Sequence, residues 1–162
     1  MERAGKSVPS SQRKIVARIL KVRKAGDRAA RSSRRFAEYR YLRAVLRAYV
    51  IFSDNDLLNH LVVIAPSELM TPVRAKSHPI RMIIEASCTR ADLRKKSRWT
   101  RALEFALARN VSPEELPRFI RAHGGIAGCA DLASKTQPKH VKPGVRYEVG
   151  RTNARSLLST RG

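Results

Sequence analysis

Apolar residues return every three or four positions over most of this chain, the spacing of amphipathic helices rather than the alternation of half-buried strands. In residues 12–24, Ile15, Val16, Ile19 and Leu20 share a helical face, and Arg13, Lys14, Arg18, Lys21, Arg23 and Lys24 surround it. A basic helix of this kind lies on a membrane, docks on a partner, follows phosphates or packs on its own core. Gly26 and Asp27 predict a break after it. From Arg28 onward, Phe36, Tyr39, Leu42, Leu46 and Tyr49 or Val50 predict a long helix. Arg31, Arg34, Arg35, Arg40 and Arg47 fall mainly off its apolar stripe, and Arg43 falls at the edge. Tyr39, Tyr41 and Tyr49 read as helix core rather than as base-stacking platforms.

Residues 48–73 contain no Lys or Arg. Ser53 with Asp54 and Asp56 predicts a helix start, an N-cap followed by acids in the first turn. The Asp54-Asn55-Asp56 run lacks the glycine and distal glutamate of a calcium loop, so capping is the better reading. Leu57, Leu58, Leu61, Val62, Ile64 and Ala65 then predict a largely buried helix, with a strand over 61–65 as the alternative. Pro66 and Pro72 mark a connection over 66–76, with one helical turn at 67–70. Ser77 predicts the cap of another helix, with Pro79 in its first turn and Ile80, Ile83, Ile84 and Ser87 facing inward.

Residues 89–134 hold the strongest punctuation. Thr89 predicts a helix cap, with Asp92 favouring the positive end of the helix. Trp99, Leu103 and Ala106 share one face, with Ala102 and Leu107 beside them. Arg90, Arg94, Arg98 and Arg101 line the opposite face, and Lys95 and Lys96 flank the apolar side with their charges reaching water. No acid occurs from Leu93 to Leu103 to balance this stripe, which favours a partner-facing surface over a solvated one. Ser112, Pro113 and Glu115 spell a capping box with proline at the first helical position. Leu116, Phe119 and Ile120 form the buried edge of that helix, and His123, Gly124 and Gly125 end it. A short helix over 126–134 follows. Helix, glycine turn and helix give the outline of a helix-turn-helix, but the second helix carries no Arg, Lys, Asn or Gln before Lys135 to read bases.

Charge changes the picture from fold to partner. The chain has 162 residues, with 34 Lys and Arg against 13 Asp and Glu, a net charge of +21. That balance draws polyanions: DNA, RNA or an acidic membrane face. Residues 1–44 carry 14 basic and 3 acidic residues, and residues 135–162 carry 7 and 1. The expected organisation is a basic arm over 1–27, partly amphipathic helix and mobile over 1–11, a helical core over 28–134 and a basic flexible tail over 135–162, with a short strand at 145–149 at most. The fold class is all-α, a compact multi-helix domain with a helix-turn-helix-like C-terminal corner.

Catalytic signatures are missing: no P-loop, GxGxxG, GxSxG or HExxH run occurs. The histidines are scattered, and His60 reads as a core residue. Glu85, Asp92 and Glu104 read as local charge balance, and a Cys129–His123 nucleophile pair has nothing to orient it. Two distant cysteines give no disulfide framework and suit a reducing compartment. No apolar run approaches a membrane span, and the N-terminus lacks a secretory h-region, although an organellar transit peptide shares its composition. The expectation is a non-enzymatic nucleic-acid-binding protein of the bacterial cytoplasm or nucleoid, a small DNA-binding regulator or mobile-element protein, with DNA ahead of RNA and no cofactor or metal. The phosphate-binding residues expected are Arg90, Arg94, Lys95, Arg98 and Arg101, with Arg40, Arg43 and Arg47. The rival is an adaptor whose basic face holds an acidic protein or an anionic membrane.

Overall fold

The computed structural model describes residues 10–34, 36–68, 77–88 and 90–136. Among them are seven helices and no strand: α1 Ser10–Ala30, α2 Ala37–Asp54, α3 Leu58–Glu68, α4 Pro79–Ser87, α5 Leu93–Ala108, α6 Leu116–Ala122 and α7 Gly125–Thr136. The fold is all-α, as the periodicity predicts. Residues 1–9, the Thr89 cap, Arg35 and the possible strand at 145–149 lie outside the described residues.

Of the roles open to the first basic helix, core packing is visible. Ile15, Ile19 and Val22 are fully or almost fully buried, and α1 packs against α2, α3 and α4. The helix already includes Ser10 and Ser11, and it does not break at Gly26. A Cβ at Gly26 would stand 3.2 Å from the Tyr41 ring, so this glycine permits close helix approach instead of ending the helix. The boundary expected at residue 27 therefore falls inside α1. Arg23, one of the cations expected to surround the apolar face, donates from Nη2 to the Ala86 carbonyl at 2.7 Å, tying α1 to the end of α4.

The α2 stripe is correct at Leu42 and Leu46 but its aromatic members are rearranged. Tyr41 is 1% exposed, whereas Tyr39 and Tyr49 are half-buried and Phe36 is 43% exposed. α1 and α4 both pack on the Tyr41 side, and its hydroxyl lies 2.9 Å from Ser87 Oγ. Burial raises the Tyr41 phenol well above its ordinary pKa, and the Ser87 hydrogen bond only partly opposes this.

Ser53, Asp54 and Asp56 close α2 instead of opening a helix. Asp56 takes φ 54°, its N–H donates to Ser53 O, and the Leu57 N–H reaches Phe52 O at 2.8 Å. This is the paired-bond terminus that a left-handed residue makes at a helix end. Asn110, with φ 53°, does the same after α5. In α3, Leu61, Ile64 and Ala65 are buried and the strand alternative at 61–65 is not adopted, whereas Val62, Val63 and His60 face solvent. α3 continues through Pro66 to Glu68, and the rest of the expected connection lies outside the described residues. His78, not Ser77, caps α4: its Nδ1 accepts from Ile80 N, with Pro79 in the first helical turn.

Asp92 caps α5 by accepting from Lys95 N at 2.6 Å. Trp99, Ala102, Leu103, Phe105 and Ala106 form its buried face. Trp99 and Phe119 belong to one core, but the ring partner of Trp99 is Tyr41, at 5.1 Å, and that of Phe119 is Phe105, at 5.6 Å. Ser112 and Glu115 form the predicted capping box, with the Ser112 N–H donating to Glu115 Oε2 and the Glu115 N–H to Ser112 Oγ. The regular part of α6 begins just after this turn, and Pro117 falls in its first turn, where no helix bond is lost. His123 closes α6, Gly124 and Gly125 take φ 76° and 82°, and α7 folds back along α5.

Candidate nucleic-acid interface

A cleft of about 270 Å³ opens between α1 and α2, walled by Arg18 and Lys21 on one side and Arg40, Arg43 and Arg47 on the other. Helical spacing sets both rows: Arg40, Arg43 and Arg47 differ by three and four positions and share an exposed edge of α2, and half-buried Arg18 and exposed Lys21 share an edge of α1. The apolar floor, Val22, Ala25 and Ala44, keeps the cations apart from the core beneath. Among the described residues, no carboxylate lines the cleft. Arg40 forms no ion pair or hydrogen bond among the described residues. Arg47, at the far end, is paired with Glu114, both groups about half exposed, so one acid screens one end of the row. The Arg47 hydrogen bond is the main cause that holds the Glu114 carboxyl below its ordinary pKa.

The cationic surface continues past the cleft. Arg28 and Arg34 line a neighbouring hollow that shares Ala25 and Arg40 with it. Another, of about 210 Å³, shares Arg40 and Arg43 and is completed by Phe36, Tyr39, Pro117 and Arg121. Of these residues, only Arg40, Arg43 and Arg47 are among the expected site. Arg18 and Lys21 were legible as cations of an amphipathic helix, but facing α2 depends on the α1–α2 packing that no local pattern carries.

The other expected residues divide in two. Arg90, expected on the same helix face, lies in the bend before α5 and is exposed; Arg94 and Arg98 are exposed on α5; none of the three has a hydrogen bond or ion pair among the described residues, and Arg101 is exposed but donates to Ser134 Oγ of α7 at 2.9 Å. Lys95 is committed elsewhere: it is ion-paired with Glu38 of α2, and its Nζ lies 5.2 Å from the Trp99 ring centroid. Lys96 does not reach water. It is 7% exposed and its Nζ is 2.5 Å from Glu85, which Arg81 also holds. Burial opposes ionisation of Glu85, but the hydrogen bonds from Lys96 and Arg81 outweigh it and hold the carboxyl below its ordinary pKa.

A larger cleft, of about 740 Å³, lies between α4 and α5 and includes His78, Arg81, Glu85, Thr100, Arg101 and Glu104. Its charges are of both signs: Glu85 is held as above by Arg81 and Lys96, and Glu104 Oε1 lies 3.8 Å from His78 Nδ1, the nitrogen that accepts from Ile80 N. Cys129 is completely buried, and burial pushes its thiol up to about 11, which is the opposite of an activated nucleophile. His123 Nδ1 lies 2.9 Å from Phe119 O and serves the helix end. No group of three or more His, Cys, Asp or Glu among the described residues is arranged to hold a metal ion, and no described helix is long and apolar enough to cross a membrane. No protein-family model matches the chain, and no curated protein or solved structure matches it either.

Proposed function

We propose that this is a non-enzymatic nucleic-acid-binding protein that grips the phosphate backbone in the α1–α2 cleft. One observation carries the reading: two helices present Arg18, Lys21, Arg40 and Arg43 across an open cleft with no carboxylate in its lining among the described residues. Cations facing one another repel, and an arrangement in which only Glu114, at one end of the row, offsets that repulsion suits an external polyanion. The guanidinium fork matches phosphate oxygens in pairs. The exposed arginines of α5 and the net charge of residues 135–162, 7 basic against 1 acidic, add attraction at longer range. The α6–α7 corner has the order of a helix-turn-helix, but α7 has only Lys135, in its last turn, from the residue types that read bases. Phosphate holding, not base reading, is the function assigned.

The test is binding of the full chain to duplex DNA, single-stranded RNA and anionic vesicles across a salt series. Changing Arg40 and Arg43 together to alanine should weaken nucleic-acid binding and reduce the logarithmic salt slope on duplex DNA by about 1.8, or 0.9 per phosphate contact. Vesicle capture without nucleic-acid binding, or an unchanged slope, would overturn the reading in favour of a membrane or acidic-protein adaptor.

A further inference from the structure

We propose that the occupant of the cleft is a single-stranded stretch of nucleic acid, with one unpaired base stacked on Phe36 while Arg40 and Arg43 hold the adjoining phosphates. This rests on the nucleic-acid reading above and narrows it to a substrate class. Phe36 immediately precedes α2 and is 43% exposed. Positions 36, 40, 43 and 47 are spaced by four, three and four, so the ring continues the arginine row of the cleft along one edge of α2. The row spans about 16 Å at 1.5 Å per residue, long enough for a short run of nucleotides.

The ring is held rather than loose. Its centroid is 5.2 Å from that of Tyr39, tilted by 41°, and the Arg121 guanidinium carbon of α6 lies 5.8 Å from it. With 43% of its surface still exposed beside these partners, the ring forgoes part of the gain of burial. Here it stands on the wall of a hollow whose other members include Arg40, Arg43 and Arg121. An exposed aromatic interleaved with arginines is the composition by which proteins hold unpaired bases: every base has a π face, and the guanidinium groups take both phosphates and base planes. A duplex keeps its base faces stacked within itself, so it would use the arginines and offer no base face to Phe36. The same placement separates Phe36 from Tyr41, whose buried ring serves packing alone.

The experiment measures fluorescence anisotropy of a labelled oligothymidylate and of a mixed-sequence duplex with the full chain. Phe36→Ala should weaken oligothymidylate binding about tenfold, the loss of one base stack, and leave duplex affinity and both salt slopes within about twofold. Phe36→Trp should restore the single-strand affinity. Phe36→Leu keeps apolar bulk without a π face and should behave like Phe36→Ala, which separates stacking from any packing effect. Single-strand binding that is unchanged in Phe36→Ala but lost in the Arg40 and Arg43 double variant would overturn the stacking site and leave the phosphate cleft standing. Equal losses on duplex and single strand in Phe36→Ala would also overturn it. A wild-type chain that binds neither oligonucleotide would overturn the underlying nucleic-acid reading itself.

Discussion

The cations of the α4–α5 seam and those of the α1–α2 cleft both come from basic stretches of sequence, yet the seam pairs its buried cations with its own carboxylates, whereas the cleft has one such pair, Arg47 with Glu114, at its far end. Lys96 is buried against Glu85, Arg81 grips the same carboxylate, and Lys95 pairs with Glu38 across to α2. Arg18, Lys21, Arg40 and Arg43 surround a cleft with no carboxylate in its lining among the described residues. Charge density therefore does not separate a structural cation from a ligand-facing one; the presence of a partner does. A buried ion is tolerable only when paired, whereas an exposed one keeps its hydration until a ligand replaces it.

The largest effect should come from the seam's packing. Trp99 lies between Tyr41 and the Lys95 ammonium, and its Nε1 approaches Glu38 at 3.4 Å. Trp99→Ala should cost about 3–5 kcal/mol in urea unfolding. Oligonucleotide affinity of the remaining folded fraction should be unchanged, because Trp99 lines no part of the α1–α2 cleft. Near-wild-type stability would mean that α5 is not locked to α2 in solution, and the contrast between the regions would collapse.

A somewhat smaller effect isolates the ion pair itself. Glu85→Gln keeps the shape but leaves Lys96 buried without an anion, at a cost of about 3 kcal/mol. Acid should produce the same loss in the wild type. The folded Glu85 pKa lies below its ordinary 4.5. Its contribution is therefore fully present above that value and disappears as pH falls through the folded pKa. Urea midpoints from about pH 6 down to about pH 3 should show a shallower decline for Glu85→Gln than for the wild type. Parallel curves would mean that Glu85 is no more stabilised folded than unfolded.

The helices were legible because their apolar spacing is local, and so were ends whose chemistry is local, such as Ser112 with Glu115. Asp54 to Asp56 misled because the residue types that open a helix also stand at its close: Asp56 tolerates the left-handed conformation that ends α2. Gly26 misled for a related reason, since a glycine in a helix signals either a break or a close neighbour, and the neighbour, Tyr41, is distant in sequence. The candidate site divides along the same line. Exposure of Arg40, Arg43 and Arg47 follows from α2 alone, but Arg18 and Lys21 facing them, Glu85 neutralising Lys96 and Glu38 claiming Lys95 are tertiary facts.

The smallest expected effect is on the exposed edge of α5, and it tests how far the contrast extends. Arg94 and Arg98 are solvent-facing and unpaired among the described residues, like the cleft arginines, but they border no shared cleft with Arg40 and Arg43. Changing both to alanine should alter stability by no more than about 0.5 kcal/mol, since neither contributes to the core. A duplex is broad and stiff enough to touch a second cationic face, so its binding should weaken at low salt, with a slope reduced by up to about 1.8. A single strand confined to the α1–α2 cleft has no reason to reach α5, and its affinity should stay unchanged. Duplex binding with unaltered affinity and slope would show that the α5 arginines are a solvated surface. The rule would then sharpen: an unpaired cation marks a ligand only where two helices bring such cations face to face.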